Sequence, residues 1–464
     1  MIGRLRESKE LQDVIDSGRS EFVVVYGRRR VGKTYLVRNY FNNQFTFYST
    51  GLANDELAVQ LANFNTALKL HKAYKQTEDA TNWMEAFTNL TKILAASKAP
   101  IKTIFIDELP WMDTKNSDLI TAIDFFWNKW ASARSDIKFI VCGSSASWML
   151  NKLLKNTKGL YNRITNKIKL QPFTLSETKA YLQKLHCKYD NYQVVQLYMA
   201  LGGIPYYLNY IKPTESAAQN INRLFFSEAA KLKDEYNQLF ASMFKNYKQH
   251  LNVVNTLALK KKGLYKNEIV KYAKISDGGT LSNTLKELEA SDFIKKYNTP
   301  GKILRNARYQ LTDNFTLFYN NFLYKTTDHN YWLNAINTPQ YYAWAGNAFE
   351  IVCLQHETQI KKALGISGIQ TNTYTWGNDK AQVDLVLDRN DNVINLVEIK
   401  FSIHEFTISK EYEKKLQQKI AAYMLAHPSK KAVWLVMLTT YSLATVRNAA
   451  LVHNSLTMDV LFDN

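Results

Sequence analysis

Short apolar runs alternate with amphipathic segments along the first part of the chain. The runs are rich in Val, Ile, Phe and Tyr, and they occupy positions 22–26, 45–48, 103–106, 138–142 and 167–170. Strand-like runs separated by helix-like segments are typical of a parallel sheet wrapped by helices. The pattern therefore predicts an α/β domain over residues 1–171.

The pattern changes after this domain. Residues 172–245 have helical character throughout and are interrupted at 202–205, so they predict a helical domain. Residues 246–334 predict short helices, then a hairpin around a turn at 298–301, and then a connector. The turn is predicted because Pro and Gly follow Asn and Thr there.

A further α/β segment is predicted over residues 335–464. It begins with a helix around Phe349, continues with two strands flanking a turn at 390–392, and ends with helices and a strand at 432–438. The chain is therefore expected to be a multidomain α/β protein. The expected domain boundaries are 1–171, 172–245, 246–334 and 335–464.

The composition is that of a globular protein. Hydrophobic residues make up 46% and charged residues 22% of 464 positions, which argues against disorder, collagen-like sequence and coiled coil. No apolar run reaches the roughly 20 residues of a membrane helix, and the first ten residues lack the apolar core of a secretory signal. Three scattered cysteines fit a reducing compartment. We expect a soluble cytoplasmic protein without a membrane partner.

The charge favours an anionic partner. Lys and Arg number 59 against 41 Asp and Glu, a net charge of +18. Residues 246–312 alone hold 13 basic and 5 acidic residues, a net +8. Such an excess favours binding to nucleic acid, to nucleotides or to an acidic membrane surface.

A phosphate-binding loop follows the first apolar run. The motif G-x-x-x-x-G-K-[ST] is matched at every fixed position by Gly27, Arg28, Arg29, Arg30, Val31, Gly32, Lys33 and Thr34. Backbone N–H groups of such a loop bind phosphate oxygens, Lys33 would reach the β- and γ-phosphates of ATP, and Thr34 would ligate Mg²⁺. The three arginines occupy the variable positions, where we expect a solvated rim beside the nucleotide. A chance match in a Gly- and Lys-rich turn is the alternative.

Two later strand ends supply polar groups. Asp107 and Glu108 follow the run at 103–106, so Asp107 would hold Mg²⁺ and Glu108 would polarise the attacking water. Ser144 follows the run at 138–142. It would lie between the two motifs and sense the γ-phosphate, or it would belong to an ordinary serine-containing turn.

These motifs resemble those of AAA+-related ATPases of the prokaryotic STAND-like group. The resemblance covers about the first 250 residues and includes the segments at 3–7, 159–163, 168–173 and 202–205. It implies that Arg163 is an arginine finger or sensor. Arg163 would act either on the nucleotide of its own chain or on that of a neighbouring chain, and the second case would make the protein a homo-oligomer. An exposed structural arginine is the alternative. It also implies that Gly203 and Pro205 form the turn of a helical lid that closes over the base.

The segment from 246 has the element order of a winged helix. Leu281, Leu285 and Leu288 form an apolar stripe, which would leave Ser282, Asn283 and Lys286 facing outward. In a DNA-binding protein this helix enters the major groove, and the wing contacts phosphates, here through Lys295, Lys296, Lys302 and Arg305. Two acidic residues, Glu287 and Glu289, weaken that interpretation. Winged helices also contact proteins, so a protein partner is the alternative.

The last segment brings two carboxylates and a lysine together. Glu398 and Lys400 are two residues apart in one predicted strand, and Asp384 would lie nearly opposite in the other. Such a set suits a Mg²⁺ or Mn²⁺ site for phosphodiester cleavage. It resembles the D-x(n)-E-x-K motif of restriction-endonuclease-like nucleases, and this resemblance implies an added helix carboxylate at Glu350 and, more weakly, a trailing polar residue at Gln418. A surface hairpin with an ordinary ion pair, or an inactive nuclease-like domain, are the alternatives.

Together these features resemble the archaeal and bacterial ATPases that join such a module, a winged helix and a nuclease-like domain of unassigned function. The leading hypothesis is an ATPase whose nucleotide state controls DNA binding and Mg²⁺-dependent DNA cleavage. One alternative is a nucleotide-controlled switch that binds DNA or a protein partner through the winged helix, with the nuclease-like domain as an inactive binding platform. The other is an ATPase that remodels a protein assembly.

Overall fold

The computed structural model of the chain divides into two compact units, Met1–Gln171 and Pro172–Asn464. It describes residues 2–53, 55–71, 74, 78–154, 160–244, 246–260, 263–297, 307–323, 328–444 and 449–463. Among these residues, no helix is long and apolar enough to cross a membrane.

The first unit contains a five-stranded parallel sheet with the order β2-β3-β4-β1-β5. Its strands are β1 (Glu21–Tyr26), β2 (Phe47–Thr50), β3 (Lys102–Asp107), β4 (Ile137–Gly143) and β5 (Asn166–Lys169). Its helices are α1 (Leu5–Asp16), α2 (Lys33–Tyr40), α3 (Leu57–Lys69), α4 (Trp83–Ala96), α5 (Leu109–Met112), α6 (Leu119–Phe126) and α7 (Ala146–Trp148). Short π-helical segments continue α6 over Trp127–Ala131 and α7 over Met149–Leu154.

This sheet confirms the predicted α/β architecture. Strands β1, β3 and β4 are buried at nearly every position, as expected for parallel strands covered on both faces. β4 lies between β1 and β3, so the ends of these three strands meet at one edge of the sheet. The core on one face is built from aromatic and branched residues, including Phe64, Trp83 and Phe126.

The second unit begins with helices, as predicted for residues 172–245. They are α8 (Leu175–Lys184), α9 (Asn191–Leu201), α10 (Pro205–Leu208), α11 (Ala217–Phe225) and α12 (Glu235–Met243). Two helices from the predicted connector follow later in the chain, α16 (Asn314–Phe322) and α17 (Tyr331–Ala335). Phe318 of α16 packs on Phe225 of α11, with ring centroids 4.7 Å apart, so the connector shares a core with the early helices.

Three helices and a small antiparallel sheet lie between these groups. The helices are α13 (Tyr247–Ala258), α14 (Lys266–Ala273) and α15 (Gly279–Ala290), and the strands are β6 (Leu264–Tyr265), β7 (Ile294–Tyr297) and β8 (Arg308–Leu311) in the order β6-β8-β7. The predicted stripe of α15 is confirmed, because Leu281, Leu285 and Leu288 are buried. The predicted turn at 298–301, together with Lys302 and Arg305, lies outside the described residues.

The last part of the chain contains a mixed five-stranded sheet with the order β13-β12-β11-β10-β9. Its strands are β9 (Thr371–Gly377), β10 (Gln382–Arg389), β11 (Val393–Lys400), β12 (Ala432–Thr439) and β13 (Val452–Thr457), and its helices are α18 (Pro339–Gln355), α19 (Glu357–Ala363) and α20 (Lys410–Ala426). The hairpin of β10 and β11 confirms the prediction, and β12 pairs with β11 in parallel. The edge strands β9 and β13 were not predicted from the sequence.

Candidate functional site

The loop at 27–34 connects β1 to α2 in the first unit. Gly27 has φ +149°, and a Cβ atom there would lie 2.3 Å from the carbonyl oxygen of Leu170. Gly32, with φ +92°, caps the amino end of α2. Positive φ values are inexpensive only for glycine, so both residues are needed for this loop conformation.

Lys33 is buried within the loop, with 5% of its surface exposed. Its ammonium donates to the carbonyl oxygens of Gly27 at 3.1 Å and Arg28 at 2.9 Å. Burial lowers the pKa of Lys33, although the nearby Glu108, Cys142 and Asp107 oppose that shift. A poorly solvated ammonium beside a loop of backbone N–H groups favours an anion, so these residues fit a nucleotide phosphate chain.

The arginines of the loop differ in exposure. Arg29 and Arg30 are half-buried, whereas Arg28 is only 2% exposed. The expectation that all three form a solvated rim is therefore wrong for Arg28. Its side chain is enclosed by the protein, and its carbonyl accepts from the Lys33 ammonium inside the loop.

The carboxylates predicted at the end of β3 lie beside the end of β4. Asp107 is buried, and the Cys142 thiol donates to its Oδ1 atom. Burial and the Asp107 charge raise the pKa of Cys142, so the thiol remains protonated as a donor. Glu108 has φ +47°, and its Oε2 atom accepts from the backbone N–H of Ser144 at 3.0 Å and from its hydroxyl at 2.8 Å. Ser144 therefore contacts Glu108 directly.

Arg4 is a contributor to this site that the sequence motif did not identify. Its buried guanidinium donates to the carbonyl oxygen of Val31 at 3.0 Å and lies 3.6 Å from Glu7. The resemblance included this segment but gave Arg4 no role. Arg4 and Val31 are 27 residues apart in the sequence, so no short motif connects Arg4 to the loop.

The other residues predicted for the nucleotide site differ in exposure and in the element on which they lie. Thr34 is half-buried in the first turn of α2, and Arg163 is exposed after a short 3-10 turn, Leu160–Asn162. Gly159 lies outside the described residues. In the second unit, Gly203 has φ +66° and its carbonyl accepts from the N–H of Phe173 at 2.8 Å, while Pro205 begins α10.

The polar and basic residues of α15 and β7 differ in exposure and in their contacts. Asn283 and Lys286 are exposed on α15 and Ser282 is half-buried there, as the stripe predicted. Lys295 contacts Glu357 of α19, with 3.6 Å between Nζ and Oε2, and Lys296 is half-buried. Glu287 accepts from the ring of His250 at 2.7 Å, so this acidic residue holds α13 and α15 together.

The carboxylates of the last sheet lie across from each other. Leu385 of β10 pairs with Val397 of β11, so the neighbouring Asp384 and Glu398 occupy opposite positions on one sheet face. Both are buried, and Oδ2 of Asp384 accepts from the backbone N–H of Ile399 at 2.8 Å. Lys400 contacts Glu398, with 2.8 Å between Nζ and Oε1. The prediction that these three residues come together is confirmed.

Two residues of α20 join this cluster. The Lys419 ammonium lies 2.8 Å from Oε1 and 2.6 Å from Oε2 of Glu398, and the Tyr412 hydroxyl donates to Oε1 at 2.7 Å. Gln418, the polar residue selected from the sequence, is instead exposed. We name Asp384, Glu398, Lys400, Tyr412 and Lys419 the carboxylate cluster.

The pKa values of the two buried carboxylates shift in opposite directions. Burial and the neighbouring Glu398 charge raise the pKa of Asp384 to about 7. Burial alone would raise the pKa of Glu398. The charges and hydrogen bonds of Lys400 and Lys419 lower it by more, so the pKa of Glu398 falls below its usual value. Glu398 is therefore the ionised member of the pair near neutral pH.

Glu350 is half-buried on α18, and its charge contributes to the raised pKa of Lys400. It therefore lies in the electrostatic environment of the carboxylate cluster. Two carboxylates and a lysine are suitable groups for a Mg²⁺ site, but Glu398 is occupied by ammonium and hydroxyl donors. Within the described ranges, no group of three or more His, Cys, Asp or Glu residues is arranged to hold a metal ion.

Comparisons with known proteins find similarity both in the first part of the chain and along most of its length. Residues 1–211 match a family described as an ATPase domain predominantly from Archaea. An uncharacterized protein of Methanocaldococcus jannaschii is 26% identical over 422 residues, which cover 86% of this chain and 87% of that protein.

Solved structures are also similar. A Walker-type ATPase of Pyrococcus abyssi matches with a TM-score of 0.50 and 17% identity, over 69% of this chain and 96% of that chain. A STAND protein with a tetratricopeptide repeat sensor from Pyrococcus horikoshii matches with a TM-score of 0.32 and 17% identity, over 79% of this chain and 51% of that chain. Residues 1–211 are therefore similar in sequence to archaeal-type ATPase domains, and the fold is similar to that of a Walker-type ATPase, in agreement with the predicted ATPase module.

Proposed function

We propose that the nucleotide state of the ATPase domain controls DNA binding and Mg²⁺-dependent DNA cleavage by the rest of the chain. The observation that carries this proposal is the placement of the buried Asp384 and Glu398 opposite each other on one sheet face, with the half-buried Lys400 beside Glu398. Burying two adjacent carboxylates costs free energy, so a functional reason for keeping them is expected.

In the ATPase domain, different groups of the chain would bind the phosphates, the Mg²⁺ ion and the attacking water. The loop N–H groups and Lys33 would hold the phosphates of ATP, and Thr34 with Asp107 would hold its Mg²⁺, which neutralises charge that develops during phosphoryl transfer. Glu108 would orient the attacking water. Ser144 holds the Glu108 carboxylate through two hydrogen bonds, so it determines where that water would lie.

Contacts within the second unit support coupling between the helices after the P-loop unit and the carboxylate cluster. Tyr192 of α9 stacks on Phe401 and on Tyr441, with ring centroids 5.7 and 5.6 Å apart. Phe401 follows Lys400 in the chain. A displacement of α9 would therefore move Phe401 and, with it, the end of β11.

The middle region is the proposed DNA-binding part. The order of its three helices and three strands supports a winged helix, in which α15 would be the recognition helix with Asn283 and Lys286 exposed. The net charge of this region would supply the phosphate attraction. Lys295 is a weaker candidate than first expected, because Glu357 already pairs with it.

In the cleavage site, Asp384 and Glu398 would hold a divalent cation, and Glu350 would add negative charge nearby rather than a third ligand in this arrangement. Such a cation supplies a Lewis acid and lowers the pKa of bound water. Lys400 would orient the attacking water beside Glu398. Because Glu398 is engaged by α20 in this structure, the arrangement described here is closed to the cation.

The test uses the purified full chain with plasmid and linear DNA, in Mg²⁺ or Mn²⁺, with and without ATP. We expect cleavage by the wild type and none by Lys400→Ala, because that variant loses the lysine of the cluster. ATP hydrolysis is measured in parallel, and Lys400→Ala should retain it. Equal behaviour of the two proteins on DNA would contradict the nuclease function.

A nucleotide-controlled switch with an inactive carboxy-terminal platform is the second candidate. The observation that favours it is the occupancy of Glu398 by two lysines and a tyrosine. It predicts ATP-dependent DNA or protein binding without cleavage in the same assay. An ATPase that remodels a protein assembly would hydrolyse ATP but would show neither DNA response.

A further inference from the structure

Glu398 is surrounded by donors from two elements. Its Oε1 atom contacts Lys400, Lys419 and Tyr412 at 2.8, 2.8 and 2.7 Å, and its Oε2 atom contacts Lys419 at 2.6 Å. An ionised carboxylate has about four acceptor positions. These four contacts therefore leave little of the carboxylate available to another cation.

The α20 donors are held in place by helix packing. Tyr412, Leu416, Lys419 and Tyr423 are spaced at i, i+4, i+7 and i+11, so they share one helix face. Leu416 and Tyr423 are buried in the core beneath the last sheet. The apolar members of this face hold α20 against the sheet, and the polar members reach Glu398.

Lys419 differs from Glu398 in its access to solvent. Its side chain is 25% exposed, whereas that of Glu398 is 3% exposed. A lysine has four rotatable side-chain bonds and a strongly hydrated head, so its ammonium can turn toward water while the carboxylate stays. The cluster can therefore open without movement of the sheet.

We propose that Lys419, assisted by Tyr412, closes the carboxylate cluster against divalent cations by holding its ammonium where a cation would contact Glu398. The proposal rests on the proposed role of Asp384 and Glu398 as metal ligands. Removing the Lys419 ammonium restores acceptor positions and leaves negative charge that a divalent cation would compensate. Lys419 is therefore a residue that sets the metal affinity of this site.

The test is Mn²⁺ binding to the full chain without nucleotide, followed by the electron paramagnetic resonance signal of free Mn²⁺. Lys419→Met removes the charge, and Lys419→Gln removes it while keeping a hydrogen-bond donor. Lys415→Met, one turn earlier on the exposed side of α20, is the matched control. Each variant is also made with Asp384→Asn, and thermal melting verifies that the proteins are folded.

We expect both Lys419 variants to bind Mn²⁺ about tenfold more tightly than the wild type, the effect of losing one charged hydrogen-bond partner. Lys415→Met should match the wild type, and Asp384→Asn should remove the gain. Equal, Asp384-dependent binding by the wild type and the Lys419 variants would overturn the closure while leaving the metal site intact. Absence of Asp384-dependent binding in every folded variant would overturn both the closure and the proposed cleavage.

Discussion

Arg4 connects the beginning of the chain to the nucleotide loop. Its guanidinium is buried and donates to the Val31 carbonyl inside the loop. The loop also contains positive φ values at Arg30 and Gly32, so its conformation depends on contacts from outside it. Arg4 therefore supports the orientation of the N–H groups that would bind phosphate.

We predict that Arg4→Ala lowers the free energy of unfolding by about 1–3 kcal/mol, because the buried Val31 carbonyl loses this donor. ATP binding should weaken as well, since the loop loses one of its fixed points. Thermal melting and titration with a fluorescent ATP analogue measure the two effects.

The control for this prediction is Arg6→Ala. Arg6 is 88% exposed and contacts only Glu10 among its described ion pairs. Its removal should change stability by no more than about 0.5 kcal/mol. Similar losses in both variants would show that Arg4 has no special role in the loop.

Residues inside contiguous motifs could be predicted from the sequence, and their distant partners could not. Lys33, Asp107 and the pair Glu398 and Lys400 were identified because their chemistry depends on short spacing along the chain. Lys419 was missed although it shares a helix face with Leu416. Helical spacing identifies that face, but only the packing of α20 on the sheet shows that it meets Glu398.

His356 joins two elements of the second unit. Its Nε2 atom accepts from the N–H of Leu175, the first residue of α8, and its Nδ1 atom donates to the Val352 carbonyl on α18. The ring thus satisfies one of the N–H groups that a helix start leaves without a helical partner. This role requires the neutral imidazole, because Nε2 must accept.

Burial lowers the pKa of His356 to about 4, although the Val352 hydrogen bond and the charge of Glu177 oppose the shift. The unfolded chain therefore binds this proton more readily, and the stabilisation is complete above about pH 6.5 and is lost as pH falls toward 4. We predict a loss of about 2 kcal/mol from this group between pH 7 and pH 5.

Urea unfolding at the two pH values measures this loss in the wild type and in His356→Gln, which cannot titrate. The variant should lack this part of the pH dependence. His404→Gln, at an exposed position, should keep the wild-type dependence. An unchanged pH dependence in His356→Gln would contradict the assignment.

At the level of elements, buried strands were predictable and edge strands were not. β1 and β3 are nearly continuous apolar runs, because both of their faces are covered. β13 contains the exposed polar run His453-Asn454-Ser455, and β9 begins with the polar run Thr371-Asn372-Thr373 before its two buried aromatic residues. An edge strand needs few apolar residues, so its pairing depends on a neighbour that the local sequence does not show.

For the whole molecule, the position of Arg163 bears on assembly. Its side chain is exposed, whereas Lys33 and Asp107 in the same unit are buried. An exposed guanidinium is available to the nucleotide of a neighbouring copy, as in proteins that supply an arginine finger in trans. We therefore predict that Arg163 completes the ATP site of another chain.

Mixing two inactive variants tests this prediction. Lys33→Ala should lose hydrolysis because its own loop cannot hold the phosphates, and Arg163→Ala because it gives its neighbour no guanidinium. In a mixed assembly, the Lys33→Ala chain can supply Arg163 to the intact loop of the Arg163→Ala chain. ATP hydrolysis by the mixture should therefore exceed the sum of the two variants alone, whereas an arginine that acts within its own chain would leave the rates additive. Mixing Lys33→Ala with the Lys33→Ala/Arg163→Ala double variant should restore nothing, because neither chain has an intact loop.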